Sequence, residues 1–232
     1  MSVRRRIVAS LAGLFSGPAA LAGIISFSFS PPPGGATMTN IANAGGVDTG
    51  LLVFNQNTAL NFNIDGTSEG FGVVNFPNAR LAVTMTLAPA QDLGGGLFRA
   101  GVGGSFSVYD YTGDVRSDII TGTLSGGTFL RFGGTNVILL NNNTGLSYAA
   151  GPRLNALLAP GRTLAPAQDG TFALSDVRNA NDGPEIIGPG GAFLTFFANT
   201  AFTGSSNVVP TPGAIVLTLA GGVAATTRRR RR

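Results

Sequence analysis

Strict alternation of apolar and polar residues in short segments most constrains how this chain can fold. Ile25, Phe27 and Phe29 are separated by serines, and the same period of two recurs over residues 60–64 and 81–87. Successive side chains of a β-strand point to opposite faces, so this period is typical of half-buried strands. No segment carries a long apolar stripe of helical period, and only residues 153–158 could form a short helical turn.

Clusters of glycine, proline and asparagine separate these segments, for example at residues 31–35, 94–96 and 188–191. Such clusters are typical of turns and loops between strands. Many short strands joined in this way predict an all-β fold, a single β-sandwich or jelly-roll-like domain over residues 23–207.

One heptapeptide occurs twice without change, at residues 86–92 and again at residues 163–169, with the sequence TLAPAQD. A proline at its centre would end a strand, so the two copies are interpreted as a duplicated strand-to-loop corner. Biased composition is the alternative interpretation.

Several residue types that carry enzyme chemistry are absent. The chain has no Cys, His, Trp or Lys, which excludes disulfides, thiolate metal sites, a Ser-His-Asp triad and a lysine Schiff base. A glycosidase needs only two acids, but the chain has just two glutamates, Glu69 and Glu185, neither in a recognisable motif. We therefore predict a protein that is not an enzyme, has no catalytic residues and needs no cofactor.

The formal charge of +4 comes from the two tips. Eight of the 15 arginines lie in residues 4–6 and 228–232, whereas the middle holds the other seven and all 11 acids, a net charge of −4. A body of this charge repels phosphate, so no nucleic-acid partner is expected.

The N-terminus has the features of a secretory signal peptide over residues 1–22. Three arginines are followed by an apolar run of about nine residues, too short to span a bilayer. Ala20 and Ala22 fit the small-x-small pattern of a cleavage site, which would leave Gly23 as the new N-terminus. A buried N-terminal helix is the alternative.

The C-terminal residues 208–232 form a second distinct segment. Val209, Pro210, Thr211 and Pro212 precede an uncharged, apolar stretch at residues 213–227 and then a cluster of five arginines, Arg228, Arg229, Arg230, Arg231 and Arg232. As a helix, residues 213–227 would span about 22 Å against a hydrocarbon core of about 30 Å. This stretch predicts a short transmembrane helix that holds the chain only transiently. An ordinary tail anchor and a non-specific basic tail are the alternatives.

Together with the signal peptide, the Val-Pro-x-Pro motif, short apolar helix and terminal arginines of residues 209–232 resemble the PEP-CTERM sorting signal of bacteria. Thr211 stands where that family usually has Glu. The resemblance implies export and recognition by an exosortase, a membrane-embedded protease or transpeptidase. It also implies a brief membrane stage followed by release to the cell surface or exopolysaccharide matrix, and leaves extracellular polysaccharide open as a partner.

Two acidic loop segments are candidates for a calcium site, because Ca²⁺ takes six to eight oxygen ligands. The candidate ligands are Asp110, Asp114 and Asp118 in the first segment and Asp176, Asp182 and Glu185 in the second. Neither segment matches an EF-hand, and Asx residues also form turns unaided. The sequence thus favours an exported, non-catalytic surface protein. The alternatives are a glycan- or calcium-binding adhesion module and, less favoured, an extracellular glycan-active enzyme.

Overall fold

Strands dominate the computed structural model, which describes residues 22–34, 37–43, 48–133, 135–141 and 145–211. The strands are β1 (Gly23–Phe29), β2 (Met38–Ala42), β3 (Gly50–Phe54), β4 (Leu60–Gly66), β5 (Gly72–Leu87), β6 (Gln91–Asp92), β7 (Leu97–Asp110), β8 (Ser117–Phe132), β9 (Thr135–Asn141), β10 (Ser147–Ala150), β11 (Arg162–Asn179) and β12 (Phe196–Pro210). A single turn of helix, α1 (Pro152–Asn155), lies where the sequence allowed a short helical turn, and 3-10 turns include Thr67–Glu69 and Thr112–Asp114. The all-β prediction is confirmed. The apolar run of the predicted signal peptide and the predicted C-terminal transmembrane helix lie outside the described residues.

The strands pair into one continuous antiparallel sheet that closes on itself. The closed order is β1–β4–β5–β7–β8–β9–β11–β12 and back to β1. Strands β2 and β3 make a second link between β12 and β5, while β10 adds to β8 and β6 to β7. Closure pairs the strands at both ends of the described body with each other, so residues distant in sequence become neighbours.

Long strands make this order possible because they change partners along their length. Strand β12 pairs with β2 through residues 196–198 and with β1 through residues 202–208. Strand β5 pairs with β4 through residues 72–79 and with β3 through residues 84–87. Irregular pairing occurs in several of these strands, and such bulges increase local twist and bend a strand.

One core fills the inside of the closed sheet. The alternation predicted for β1 is confirmed, since Ile25, Phe27 and Phe29 are buried. Phe172 and Phe202 have ring centroids 4.8 Å apart, and Phe106 lies within 5.6 Å of both. Burying one such side chain stabilises the fold by about 1.5–3 kcal/mol, so the aromatic residues supply much of the driving force.

The repeated heptapeptide takes two different conformations. The first copy ends β5, crosses a connection at residues 88–90 and forms β6. The second lies wholly inside β11, whose pairing with β12 is interrupted between Ala165 and Asp169. The proline-containing centre breaks strand pairing in both copies, but only the first forms a connection between strands.

Candidate functional site

The two ends of the described body lie side by side. Gly23, the first residue of β1, pairs with Val208 near the end of β12. Ala22 of the predicted cleavage site is exposed directly before this pair, whereas Ala20 lies outside the described residues. Both segments for which the sequence predicts a targeting role therefore join the sheet at the same edge. We call Gly23, Glu69, Arg162, Val208 and Thr211 the exit junction.

The Val209–Pro212 motif begins inside the sheet. Val209 and Pro210 are the last residues of β12 and pair with Thr163 and Arg162. The amide of Thr211 then donates to the carbonyl oxygen of Gly161 at 2.7 Å. Strand β12 thus extends three residues beyond residue 207, where the sequence places the end of the β domain. Pro212, the apolar stretch 213–227 and Arg228 to Arg232 lie outside the described residues.

An ion pair between Glu69 and Arg162 lies at the exit junction. Nε and Nη2 of Arg162 donate to the two carboxylate oxygens of Glu69 at 3.0 and 2.6 Å. The side chain of Glu69 is only 3% exposed and that of Arg162 is 16% exposed. A bidentate geometry is the strongest form of such a contact and fixes the orientation of both groups. Glu69 therefore holds the start of β11, which in turn pairs with the end of β12.

The 3-10 turn that contains Glu69, Thr67–Glu69, also holds the start of β1. The hydroxyl of Ser68 accepts a hydrogen bond from the amide of Ile24 at 2.9 Å and donates one to the carbonyl of that residue. A Cβ atom at Gly23 would lie 1.8 Å from Oε1 of Glu69, so the absence of a side chain lets the carboxylate pack over the strand. The exit junction thus connects β1, the turn, β11 and β12 by polar contacts.

The first acidic segment is divided between the interior and the surface. Asp110 is 3% exposed and accepts hydrogen bonds from Arg153 and from the hydroxyl of Thr112. Burial by itself raises the pKa of Asp110, but the hydrogen bonds from Thr112 and Arg153 outweigh it and hold the pKa below its ordinary value. Asp114 is exposed with φ of 59°, and Asp118 accepts a hydrogen bond from Arg116 at 2.9 Å.

The second acidic segment is likewise engaged in local contacts. Asp176 accepts a hydrogen bond from Asn199 at 2.7 Å, and Asp182 lies 3.7 Å from Arg178. Glu185 is exposed, and its backbone carbonyl accepts from Asn179. Within the described ranges, no three acidic residues lie close enough together to hold a metal ion. Three of the calcium candidates lie within strands rather than loops, namely Asp110, Asp118 and Asp176, whereas Asp114, Asp182 and Glu185 lie in the connections between strands.

Sequence reasoning did not find the Glu69–Arg162 pair. The two residues are 93 positions apart and belong to no motif. The only available signal was the scarcity of glutamate, since Glu69 is one of two in the chain. Their proximity depends on the closure of the sheet, which no local pattern encodes.

Comparisons with protein-family models, with curated proteins and with solved structures gave no match. No helix within the part of the chain that the structure describes is long and apolar enough to cross a membrane.

Proposed function

We propose that this chain is an exported, non-catalytic protein that an exosortase-like membrane enzyme sorts through its C-terminal tail. Its β body is then displayed at the cell surface or in an exopolysaccharide matrix. The observation that carries this proposal is the pairing of Gly23 with Val208, which puts both ends of the body at one edge of the sheet. Removal of a signal peptide and of a tail can then occur at the same, membrane-facing side of a folded domain.

The position of the motif relative to β12 supports a cut outside the sheet. A cut after Thr211 leaves the strand and its pairing with Arg162 intact. A cut before Val208 would remove a side chain that is 0% exposed and would open the pairing with Gly23. We therefore expect the mature protein to retain at least residues 23–211.

The proposed non-catalytic role is supported by the burial and hydrogen bonding of two carboxylates, Glu69 and Asp110. Of the two glutamates, Glu69 is almost fully buried and held by both nitrogens of one guanidinium edge. A general acid or nucleophile must reach its substrate, and this carboxylate does not. The buried Asp110 is likewise committed to Arg153 and Thr112.

The processing step is tested by expressing the full-length chain in a host with an exosortase and in an isogenic host without one. We expect the surface form to lose Arg228 to Arg232 only in the first host, as measured by intact-protein mass. Thr211→Glu introduces the residue that PEP-CTERM signals usually have at this position, and it should raise the processed fraction. Thr211→Ser serves as the matched control. An intact arginine cluster on the surface protein of the exosortase host would refute the proposal.

A further inference from the structure

A polar cleft lies on the body, and each described side chain that lines it has a group able to form hydrogen bonds. Its volume is about 340 Å³, and the lining residues are Gln56, Asn57, Arg80, Tyr109, Tyr111 and Arg116. Two belong to the turn between β3 and β4, one to β5, one to the end of β7 and two to the connection from β7 to β8. Two of the three tyrosines of the chain meet two arginines here.

Arg80 is fixed in position before any ligand arrives. Its guanidinium carbon lies 5.5 Å from the ring centroid of Tyr111, and Nη1 donates to the backbone carbonyls of Gln56 and Asn57. Stacking on an aromatic ring and fixed hydrogen bonds reduce the rotamer freedom that an arginine loses on binding.

Arg116 is held in the same manner on the adjacent ring. Its guanidinium carbon lies 4.2 Å from the centroid of Tyr109, while Nε donates to Asp118 and Nη2 to Ser107, both at 2.9 Å. The two tyrosine rings pack edge to face with centroids 6.2 Å apart. The arginines are therefore parts of one rigid cluster.

The charge of this cluster fits a monoanion. Asp118 neutralises Arg116, while Arg80 donates only to neutral backbone carbonyls, so one positive charge remains. None of the described residues that line the cleft carries a carboxylate. The body as a whole carries −4, so the cleft is a local positive site on an otherwise acidic protein. A phosphate dianion would leave one negative charge without a partner.

The remaining lining indicates a hydroxyl-rich ligand. The carboxamides of Gln56 and Asn57 and the phenols of the tyrosines can each donate and accept hydrogen bonds. Among the residues that the structure describes, no aliphatic side chain lines the cleft, and the cleft volume lies at the small end of ligand sites. These groups suit sugar hydroxyls better than an apolar molecule.

We propose that this cleft, which we call the Arg–Tyr cleft, binds a monoanionic saccharide that carries a carboxylate or a sulfate ester. The anionic group sits between the guanidiniums of Arg80 and Arg116. The carboxamides of Gln56 and Asn57 contact neighbouring hydroxyls. Such binding would retain the protein on an acidic polysaccharide, a role independent of how its tail is processed.

Calorimetry on the purified full-length chain tests the proposal with three probes of equal length. The probes are a tetragalacturonate, a sulfated galactose tetrasaccharide and the neutral cellotetraose. We expect binding of at least one anionic probe and none of the neutral one, and the stronger of the two identifies the anionic group. Raising the salt from about 50 mM to about 500 mM should weaken binding several-fold because exposed charges are screened.

Variants locate the site. Arg80→Gln should weaken binding of the anionic probe about tenfold, the effect of losing one hydrogen bond to a charged group. Arg178→Gln removes an equal charge from an exposed pair elsewhere and should leave binding within about twofold. Far-ultraviolet circular dichroism and the unfolding midpoint establish that each variant is folded. Tyr111→Phe provides a second test. It keeps the ring under Arg80 but loses the hydroxyl, so it should weaken binding of the anionic probe by less than Arg80→Gln does.

Three results would overturn the proposal. One is equal heat from neutral and anionic probes. Another is unchanged binding in folded Arg80→Gln and Tyr111→Phe. The third is competition by inorganic phosphate as strong as that by the acidic saccharide. None of these bears on the sorting proposal, whose readout is the mass of the surface protein.

Discussion

Glu69 and Arg162 form a bidentate, largely buried ion pair beside the paired ends of β1 and β12. The pair lies between the residue that would begin the mature chain, Gly23, and the strand from which the tail leaves. The ion pair therefore stabilises the strand pairing at both ends of the body, between β1 and β12 and between β11 and β12. It stabilises the end of the closed sheet at which a signal peptide and a sorting tail would be attached.

Removing one member of this pair should be costly. Glu69→Gln removes the carboxylate charge that faces the guanidinium of Arg162 at a largely buried site, and we expect a loss of about 3 kcal/mol in the free energy of unfolding. Urea unfolding followed by circular dichroism measures this loss. Asp182→Asn breaks the exposed pair with Arg178 and should change the same quantity by less than about 0.5 kcal/mol.

A paired substitution separates charge from packing. Glu69→Met together with Arg162→Met removes both charges and keeps most of the side-chain volume, so it should regain much of the stability lost in Glu69→Gln. If the double variant is no more stable than Glu69→Gln, the charges do not account for the loss. Equal losses in Glu69→Gln and Asp182→Asn would also contradict the role assigned to the pair.

Asp110 should make the stability of the body depend on pH in the acid range. Burial raises the pKa of this carboxyl, but the hydrogen bonds from Thr112 and Arg153 lower it by more, so the folded pKa lies below the ordinary value. Its ionised form therefore stabilises the fold above the unfolded pKa of about 3.9, and this contribution is lost as the pH falls through the folded pKa. Asp110→Asn should cost about 2 kcal/mol at neutral pH.

Urea unfolding from neutral pH to about pH 3 measures this dependence. The difference between the unsubstituted chain and Asp110→Asn should be nearly constant from neutral pH to about pH 5 and shrink only below it, as Asp110 becomes protonated. Asp182→Asn controls for loss of an exposed carboxylate. A difference that grows as the pH falls would mean that Asp110 is protonated in the folded protein and would reverse the assignment.

Gly104 should tolerate a side chain poorly. It has φ of +132° at an irregular pairing of β7 with β8, and a Cβ there would lie 2.2 Å from the carbonyl oxygen of Thr84. Gly104→Ala therefore combines an unfavourable backbone with a clash against backbone, at about 3 kcal/mol or more. Gly113 has φ of +71° and open space around it, so Gly113→Ala should cost about 1 kcal/mol. Thermal or urea unfolding of the two variants gives the comparison, and equal costs would exclude the clash.

The local part of the fold could be predicted from the sequence, and the closure could not. The alternation of Ile25, Phe27 and Phe29 identified β1 and its buried face, because burial on one side imposes a period of two. The pairing of Gly23 with Val208 joins residues from opposite ends of the body. Such contacts depend on which strands meet during packing of the whole sheet, and no window of sequence contains that information.

Proximity in sequence also proved a poor guide to shared sites. Asp110 and Asp114 lie four residues apart, but Asp110 ends a strand and points inward, whereas Asp114 lies on an exposed 3-10 turn. The two tyrosines of the Arg–Tyr cleft flank the same aspartate, yet their arginine partners come from β5 and from beyond the turn. The sequence gives the residue types in a segment, while the strand ends decide which of them meet.

The repeated heptapeptide allows a direct test of context, because the same glutamine occurs in two environments. Gln168 is 5% exposed, accepts a hydrogen bond from the amide of Tyr148 at 2.6 Å and donates to the hydroxyl of Ser206 at 3.2 Å. Gln91 is exposed on the short strand β6. Gln168→Ala leaves the buried amide of Tyr148 without an acceptor and should cost about 1–3 kcal/mol in urea unfolding, whereas Gln91→Ala should stay within about 0.5 kcal/mol. Similar costs would mean that the two copies are structurally equivalent, as a duplicated corner requires.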